Sequence, residues 1–355
     1  MSNVRKRPRL GALALVTATA VTLAGCSAAG AGATTCEGAE VEVGIVSSLS
    51  DALLYIAQDK GYFADEGLDV NLRSFKSAGE MVPYLAAGHL SVGAGAPSAG
   101  FYNGIARGIG IEIVADKGQL VTDYDYMPLL VSKPLYDSGA IRSVADLKGR
   151  SVAEPAPGTA TASTASALLE DVGLTYDDIK HTYLGFSDHV SALQNGSVDA
   201  ALTTEPAASK AVNSGAAVKL ADSTEVYNNQ QLAVLLYSGD FSTKQQASAQ
   251  CFMNAYVRAA DDYAEATAGG SWAGEGSEEV VEIIANNIMT STDSIKQTVP
   301  SFVDPDAALT IESLERDYEF FVRQGLYQGT TDVDFGSLVN TSFAEKAAKS
   351  FSEGK

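Results

Sequence analysis

Cysteine and histidine are scarce, three of each in 355 residues. Three cysteines are too few for a disulfide scaffold, and His89, His181 and His189 show no paired ligand spacing. No metal and no cofactor is therefore expected, and the three histidines read as non-functional. Positive charge is short too: 24 Lys and Arg stand against 44 Asp and Glu, a formal charge of −20. Such a chain repels phosphate backbones, which excludes nucleic acid as a partner. After residue 23 no run reaches eighteen uncharged apolar residues, so nothing there is expected to span a membrane. Apolar residues are plentiful, at 46%. That suits a folded chain of one large or two medium domains.

The positive charge that exists is unevenly placed. Arg5, Lys6, Arg7 and Arg9 precede fourteen uncharged, mostly apolar residues, Leu10 to Leu23, the shape of an export signal too short for an ordinary membrane span. Leu23-Ala24-Gly25-Cys26 then resembles the lipobox of bacterial lipoproteins, in which the cysteine is lipidated and becomes the first mature residue. Residues 1–25 are thus expected to be a signal peptide and 26–39 a Ser/Ala/Gly/Thr-rich tether. Removing the four basic residues leaves 20 against 44 acidic, a formal −24. An acidic body is repelled by anionic lipid, so attachment to the outer face of the membrane would rest on the acyl chains at Cys26. Cys36 and Cys251 remain, in a disulfide-permissive setting. They are expected to pair and pin the first strand to a C-terminal helix, the alternative being one exposed and one buried free thiol.

From Val41 onward, short β-rich runs alternate with helical stretches. Strands are read at Val41–Ser47, Asp69–Phe75, Leu90–Ala94 and Ile111–Ala115, with helices between them, implying a mostly parallel sheet. A second α/β lobe follows, with strands at Ser151–Ala153, Ile179–Leu184, Val198–Leu202 and Val218–Ala221. Beyond Ser242 the pattern is helical: Lys244–Thr267, Glu278–Asn287, Ala307–Gln324 and Thr341–Phe351. These helices are expected to pack back on the first lobe.

Gly61-Tyr62-Phe63-Ala64-Asp65-Glu66-Gly67-Leu68-Asp69-Val70 resembles a segment of extracytoplasmic solute-binding proteins of ABC importers, in the group related to nitrate, taurine, alkanesulfonate and thiamine-pyrimidine binding proteins. Gly79-Glu80-Met81 to Gly88, Ala145 to Ala153, and Ala192 to Ala200 with Glu205-Pro206 match the same group in order. The resemblance implies an α/β, two-lobe periplasmic-binding-protein-like fold of type II, hinged on two crossing strands, Tyr126–Lys133 and Leu232–Tyr237. Lobe 1 would comprise 40–125 plus 240–355, and lobe 2 residues 126–239. It also implies a monomer that holds a small molecule between its lobes and presents it to a membrane permease.

In such a cleft, loops at the carboxyl ends of strands and the following helix N-termini face the ligand, offering backbone N–H groups and partial positive charge. The candidate contacts are Ser48, Asp51, Ser77, Gly79, Pro97, Ser98, Gly158, Thr159, Thr161 and Glu205. Ser and Thr at these places are equally ordinary N-caps. Asp51 and Glu205 either cap helices or hold an amino group. Lys76, the one base in these loops, reads as solvated. Tyr102, Tyr124, Tyr126 and Tyr183 are candidate stacking walls. No cysteine lies between Cys36 and Cys251, so the cysteine-rich motif of the enzyme relative that makes the thiamine pyrimidine is missing. No nucleophile elbow, His-Glu-x-x-His helix or Walker loop occurs either. An enzyme is not expected. The expected cargo is a sulfonate, carboxylate or aromatic carboxylate; the alternatives are a thiamine-precursor aminopyrimidine, or a lipid-anchored ligand sensor.

Overall fold

The computed structural model describes residues 36–330 and 332–354. Cys26 and the expected signal peptide, residues 1–25, lie outside the described residues. Lobe 1 opens with β1 (Ala39–Ile45), α1 (Ala52–Asp59), α2 (Tyr62–Asp65), β2 (Leu68–Ser74), α3 (Ala78–Ala86), β3 (Val92–Gly95), α4 (Ala99–Ala106) and β4 (Ile111–Leu120). Lobe 2 follows with β5 (Leu129–Ser132), α5 (Lys133–Asp137), β6 (Ser151–Glu154), α6 (Ala160–Asp171), β7 (Lys180–Tyr183), α7 (Phe186–Asn195), β8 (Ala200–Leu202), α8 (Ala207–Asn213) and β9 (Ala217–Ala221). The chain returns through β10 (Gln230–Ser238) and ends in α9 (Gly239–Lys244), α10 (Gln246–Ala266), α11 (Ser277–Asn287), α12 (Thr292–Lys296), α13 (Ile311–Arg323), α14 (Phe335–Leu338) and α15 (Ser342–Gly354).

Each lobe is built on one five-stranded sheet, ordered β2-β1-β3-β10-β4 in the first and β7-β6-β8-β5-β9 in the second. β1 runs parallel to β2 and β3, and β10 inserts antiparallel between β3 and β4. All nine residues of β10 are buried, as a central strand covered on both faces requires, and its Leu232 to Tyr237 run is correspondingly apolar. In lobe 2, β5 is antiparallel to both β8 and β9.

This strand order corrects the placement of the crossings. β5 and β10, expected to be the crossing strands, are sheet members, and the chain passes between lobes in the preceding segments, 121–128 and 222–229. Because β10 belongs to the first sheet, the return to lobe 1 falls at residue 230 rather than 240. The two crossings are tied side by side: Ser223 N donates to Asp125 Oδ2 at 3.1 Å, and Ser223 Oγ to the Met127 carbonyl at 2.5 Å.

Two further differences concern the C-terminal half. Helix α13 starts at Ile311, not Ala307, because the chain before it lies extended along the sheet. Gln119 N donates to the Phe302 carbonyl at 2.9 Å, Asp116 N to that of Ala307 at 2.9 Å, and Thr310 N to Gln231 Oε1 at 2.9 Å. These bonds satisfy backbone groups that a helix would otherwise use. Nor do the late helices pack on lobe 1 alone. While α10 covers α1, α2 and α15, α13 lies against β10 and α4 of lobe 1 and also α6 of lobe 2. One buried apolar cluster consequently runs from Ile113 of β4 and Val234 of β10 through Tyr126, Phe320 and Phe321 to Val152 and Leu168 of lobe 2. Cys36 and Cys251 are joined by a disulfide, with Cα atoms 6.7 Å apart, fixing the start of β1 to α10.

Candidate functional site

The carboxyl end of β1 leads into a tight polar turn. Ser48 N donates to Asp51 Oδ2 at 2.9 Å, Asp51 N to the Ser48 carbonyl at 3.0 Å, and the Ser48 and Ser50 hydroxyls are 2.9 Å apart. Asp51 thus caps the turn that starts α1. Its other oxygen faces Lys117 Nζ at 2.9 Å, and that ammonium also donates to Ser50 Oγ at 2.6 Å. Both charged side chains are 0% exposed. Among the described residues Lys117 is the only buried lysine or arginine. Sequence reasoning misses it because the apolar run of β4 stops at Ala115; the strand continues through Asp116, Lys117, Gly118 and Gln119 to Leu120. The one available signal is a charged pair directly after an apolar strand.

Next to Lys117, Asp116 has a structural task. Its carboxylate accepts from Gly118 N, Gln119 Nε2, Gln231 Nε2 and Asp304 N at 2.6 to 3.0 Å. Burial nonetheless pushes its pKa up to about 6. Tyr126, in the first crossing, is 2% exposed, and its hydroxyl has no hydrogen-bond partner among the described residues. A Cβ built on Gly118 would stand 2.9 Å from that hydroxyl and 3.4 Å from Ser50 Cβ, which places Tyr126 beside the turn carrying Asp51.

From lobe 2, the loop after β8 meets the same crossing: Glu205 N donates to the Tyr126 carbonyl at 2.9 Å. The buried Thr203 and Thr204 hydroxyls have no partner among the described residues. Glu205, also buried, is occupied. Ser209 N and Oγ donate to it at 2.9 and 2.7 Å, capping α8, and Val299 N of the segment after α12 donates at 3.3 Å. Burial raises its pKa. Gln297 adds two bonds to α8, accepting from Ser209 Oγ at 2.9 Å and from Asn213 Nδ2 at 2.7 Å.

The other candidate loops touch directly across the cleft. Ala99 N donates to the Gly158 carbonyl at 2.8 Å, and Ser98 and Thr159 form a β-bridge. Gly158 has φ +64°, and a Cβ there would approach the Ala99 Cβ to 2.9 Å, so this closeness needs glycine. Ser98 Oγ caps α4 through Phe101 N at 3.2 Å. Ser77, Gly79 and Ser98 cluster, since a Cβ on Gly79 would lie 3.7 and 3.8 Å from the two serine hydroxyls. Pro97 is buried, directly before Ser98, and Thr159 Oγ1 donates to the Ala156 carbonyl at 3.4 Å. Thr161 is buried, its hydroxyl 3.7 Å from Met127 Sδ. Lys76 stands outside this group, its backbone N–H donating to Glu80 Oε2 at 3.1 Å.

Of the candidate tyrosines, only Tyr126 brings to these loops a hydroxyl without a partner among the described residues. Tyr102 is wholly buried among Tyr318, Phe321 and Phe335, so it is not a stacking wall, while Tyr124 bonds the Thr267 carbonyl at 2.9 Å and packs edge-on against Phe302. Tyr183 is 44% exposed and stacks on His181. The arrangement brings together hydroxyls, backbone amides, the Glu205 carboxylate and one buried ion pair from both lobes and the first crossing.

Strand order, double crossing and a polar interlobe cleft together define a two-lobe periplasmic-binding-protein fold of type II. A family model, the NMT1-like family, matches residues 34–271. The chain belongs to the NMT1-like family. Among solved structures, it resembles the alkanesulfonate-binding protein SsuA from Xanthomonas axonopodis pv. citri bound to MOPS, with 18% identity, TM-score 0.68, 86% of this chain and 99% of that one covered. The periplasmic nitrate-binding protein NrtA from Synechocystis PCC 6803 shows 16% identity, TM-score 0.73, and coverage of 88% and 89%. The desulfurization enzyme DSZB shares the fold at 16% identity, TM-score 0.58, covering 88% and 99%.

Proposed function

We propose that this chain captures a small organic anion, a sulfonate, carboxylate or aromatic carboxylate, between its lobes and delivers it to the permease of an ABC importer. The observation that carries the reading is the buried Lys117 ammonium, paired with Asp51 and set beside the crossing where the Tyr126, Thr203 and Thr204 hydroxyls have no partner among the described residues. Such groups bind an acidic oxygen by charge-assisted hydrogen bonds. Fold alone serves both solute-binding proteins and DSZB, so the residues must decide. Those that meet here are hydroxyls and an ion pair, which suit binding rather than catalysis.

Family membership and the binding proteins among the structural neighbours support the transport role. An aminopyrimidine is less favoured, because Glu205, a carboxylate that would pair with its amino groups, already accepts from Ser209 and Val299. The sequence around Cys26 supports lipid anchoring on the outer face of the membrane. Cells lacking the protein should lose uptake of whichever organic anion raises its melting temperature. Intact uptake with lost signalling would instead identify a sensor.

A further inference from the structure

The buried ion pair between the β1 turn and β4, beside Tyr126, can do more than hold the two elements together. Lys117 and Asp51 are both wholly buried; the ammonium donates to Ser50 Oγ at 2.6 Å and pairs with Asp51 Oδ1 at 2.9 Å. Among the described residues these are its contacts, and they leave one of its three N–H donors to give. Asp51 spends its other oxygen on Ser48 N. The ammonium thus has a donor in reserve while already carrying a full counter-charge. Around the same crossing, the Tyr126, Thr203 and Thr204 hydroxyls are buried without protein partners among the described residues, and each is a group that can hydrogen-bond a ligand. A buried pair is a poor source of stability compared with well-packed apolar side chains, so its presence between the β1 turn and the carboxyl end of β4 calls for another explanation.

Resting on the reading of the cleft as an anion site, we propose that Lys117 receives the acidic oxygen of the ligand and that Asp51 is its built-in competitor. Asp51 shares the ammonium with the bound anion and so holds affinity below what the cation alone would give. The pair admits an anion without leaving an unpaired positive charge in the empty cleft, and it keeps the cargo releasable. Asp51 and Lys117 together act as the specificity determinant: the cation favours an acidic oxygen over a neutral one, and the carboxylate sets how strongly.

The experiment is calorimetric titration of the protein with two matched probe pairs, propionate against propionamide and benzoate against benzamide, in wild type, Asp51→Asn and the charge-free Asp51→Asn/Lys117→Met double variant. Each is first shown to melt cooperatively; the double variant guards against a fold lost through one unpaired buried charge. Asp51→Asn should bind the carboxylate about tenfold tighter, with little change for the amide, while the double variant should lose the preference for carboxylate over amide. Unchanged carboxylate affinity in Asp51→Asn, or a cooperatively melting double variant that keeps the wild-type preference, would make the pair scaffolding and overturn the inference. Wild type that binds neither carboxylate, nor any sulfonate, would overturn the anion reading itself and the inference with it.

Discussion

His181 offers both ring nitrogens to acceptors, Nδ1 to Glu154 Oε1 at 2.7 Å and Nε2 to the Tyr176 carbonyl at 3.0 Å. A carbonyl cannot donate, and Glu154, fully buried, also accepts from Tyr176 Oη at 3.0 and 3.1 Å. The hydrogen bond to Glu154 raises the His181 pKa and favours imidazolium. Since the folded value is raised, the stabilisation is complete below the ordinary histidine pKa and is lost as pH rises through the folded one. Melting temperature should therefore fall from pH 6 to pH 9 more steeply in wild type than in His181→Gln, as differential scanning calorimetry can record. At this scale the sequence is half legible. Ser48, Ser98, Thr159 and Glu205 stand out because cap residues announce themselves by following a strand. Lys117 does not, because nothing in a single sequence says that a long polar side chain will be buried, and Tyr126 stands out only as one of four candidate tyrosines.

Among elements, α13 and the two crossings decide how the lobes meet. Phe320 of α13 packs edge-on against Tyr176 of lobe 2 with ring centroids 5.3 Å apart. Asp317, on the same helix, accepts from Tyr227 Oη at 2.9 Å and Gln230 Nε2 at 3.2 Å. Phe320→Ala should cost roughly 3–5 kcal/mol in urea unfolding, as expected of a buried ring, and a loss below about 1 kcal/mol would mean that α13 does not hold the lobes together. In the crossings, burial and the neighbouring Asp222 carboxyl push Asp125 up to about pKa 7. A raised carboxyl favours the protonated folded state, so this stabilisation is complete below the ordinary aspartate pKa and is lost as pH rises through about 7. Asp125→Asn should flatten the decline in stability between pH 5 and pH 8, measured by denaturant titration at each pH. An unchanged slope would exclude the pair as its source. The role of α13 is illegible in sequence: its apolar stripe shows that it packs, but not on which lobe, and its start is masked by the extended 302–310 segment bonded along β4.

Over the whole molecule, the two-lobe plan is readable because βα alternation repeats on both sides of a break near residue 126, and the ordered segments from Gly61 to Pro206 resemble one group of proteins. The exact crossings are not, since a central antiparallel strand such as β10 has the same apolar run as a strand passing between lobes. The described structure has those lobes in contact, through Ala99 with Gly158 on one loop pair and Gln297 and Val299 with Ser209 and Glu205 at the start of α8 on another. A ligand bound between lobes joined in this way stabilises both at once, by mass action on the folded state. The most direct measurement is a thermal-shift panel of sulfonates, nitrate, aliphatic and aromatic carboxylates and aminopyrimidines, on protein unfolded and refolded to strip any carried ligand. A binder at one hundred times its dissociation constant adds about 2.7 kcal/mol to the folded state. The account predicts a rise in melting temperature confined to organic anions. A response to aminopyrimidines alone, or none across the panel, would contradict it.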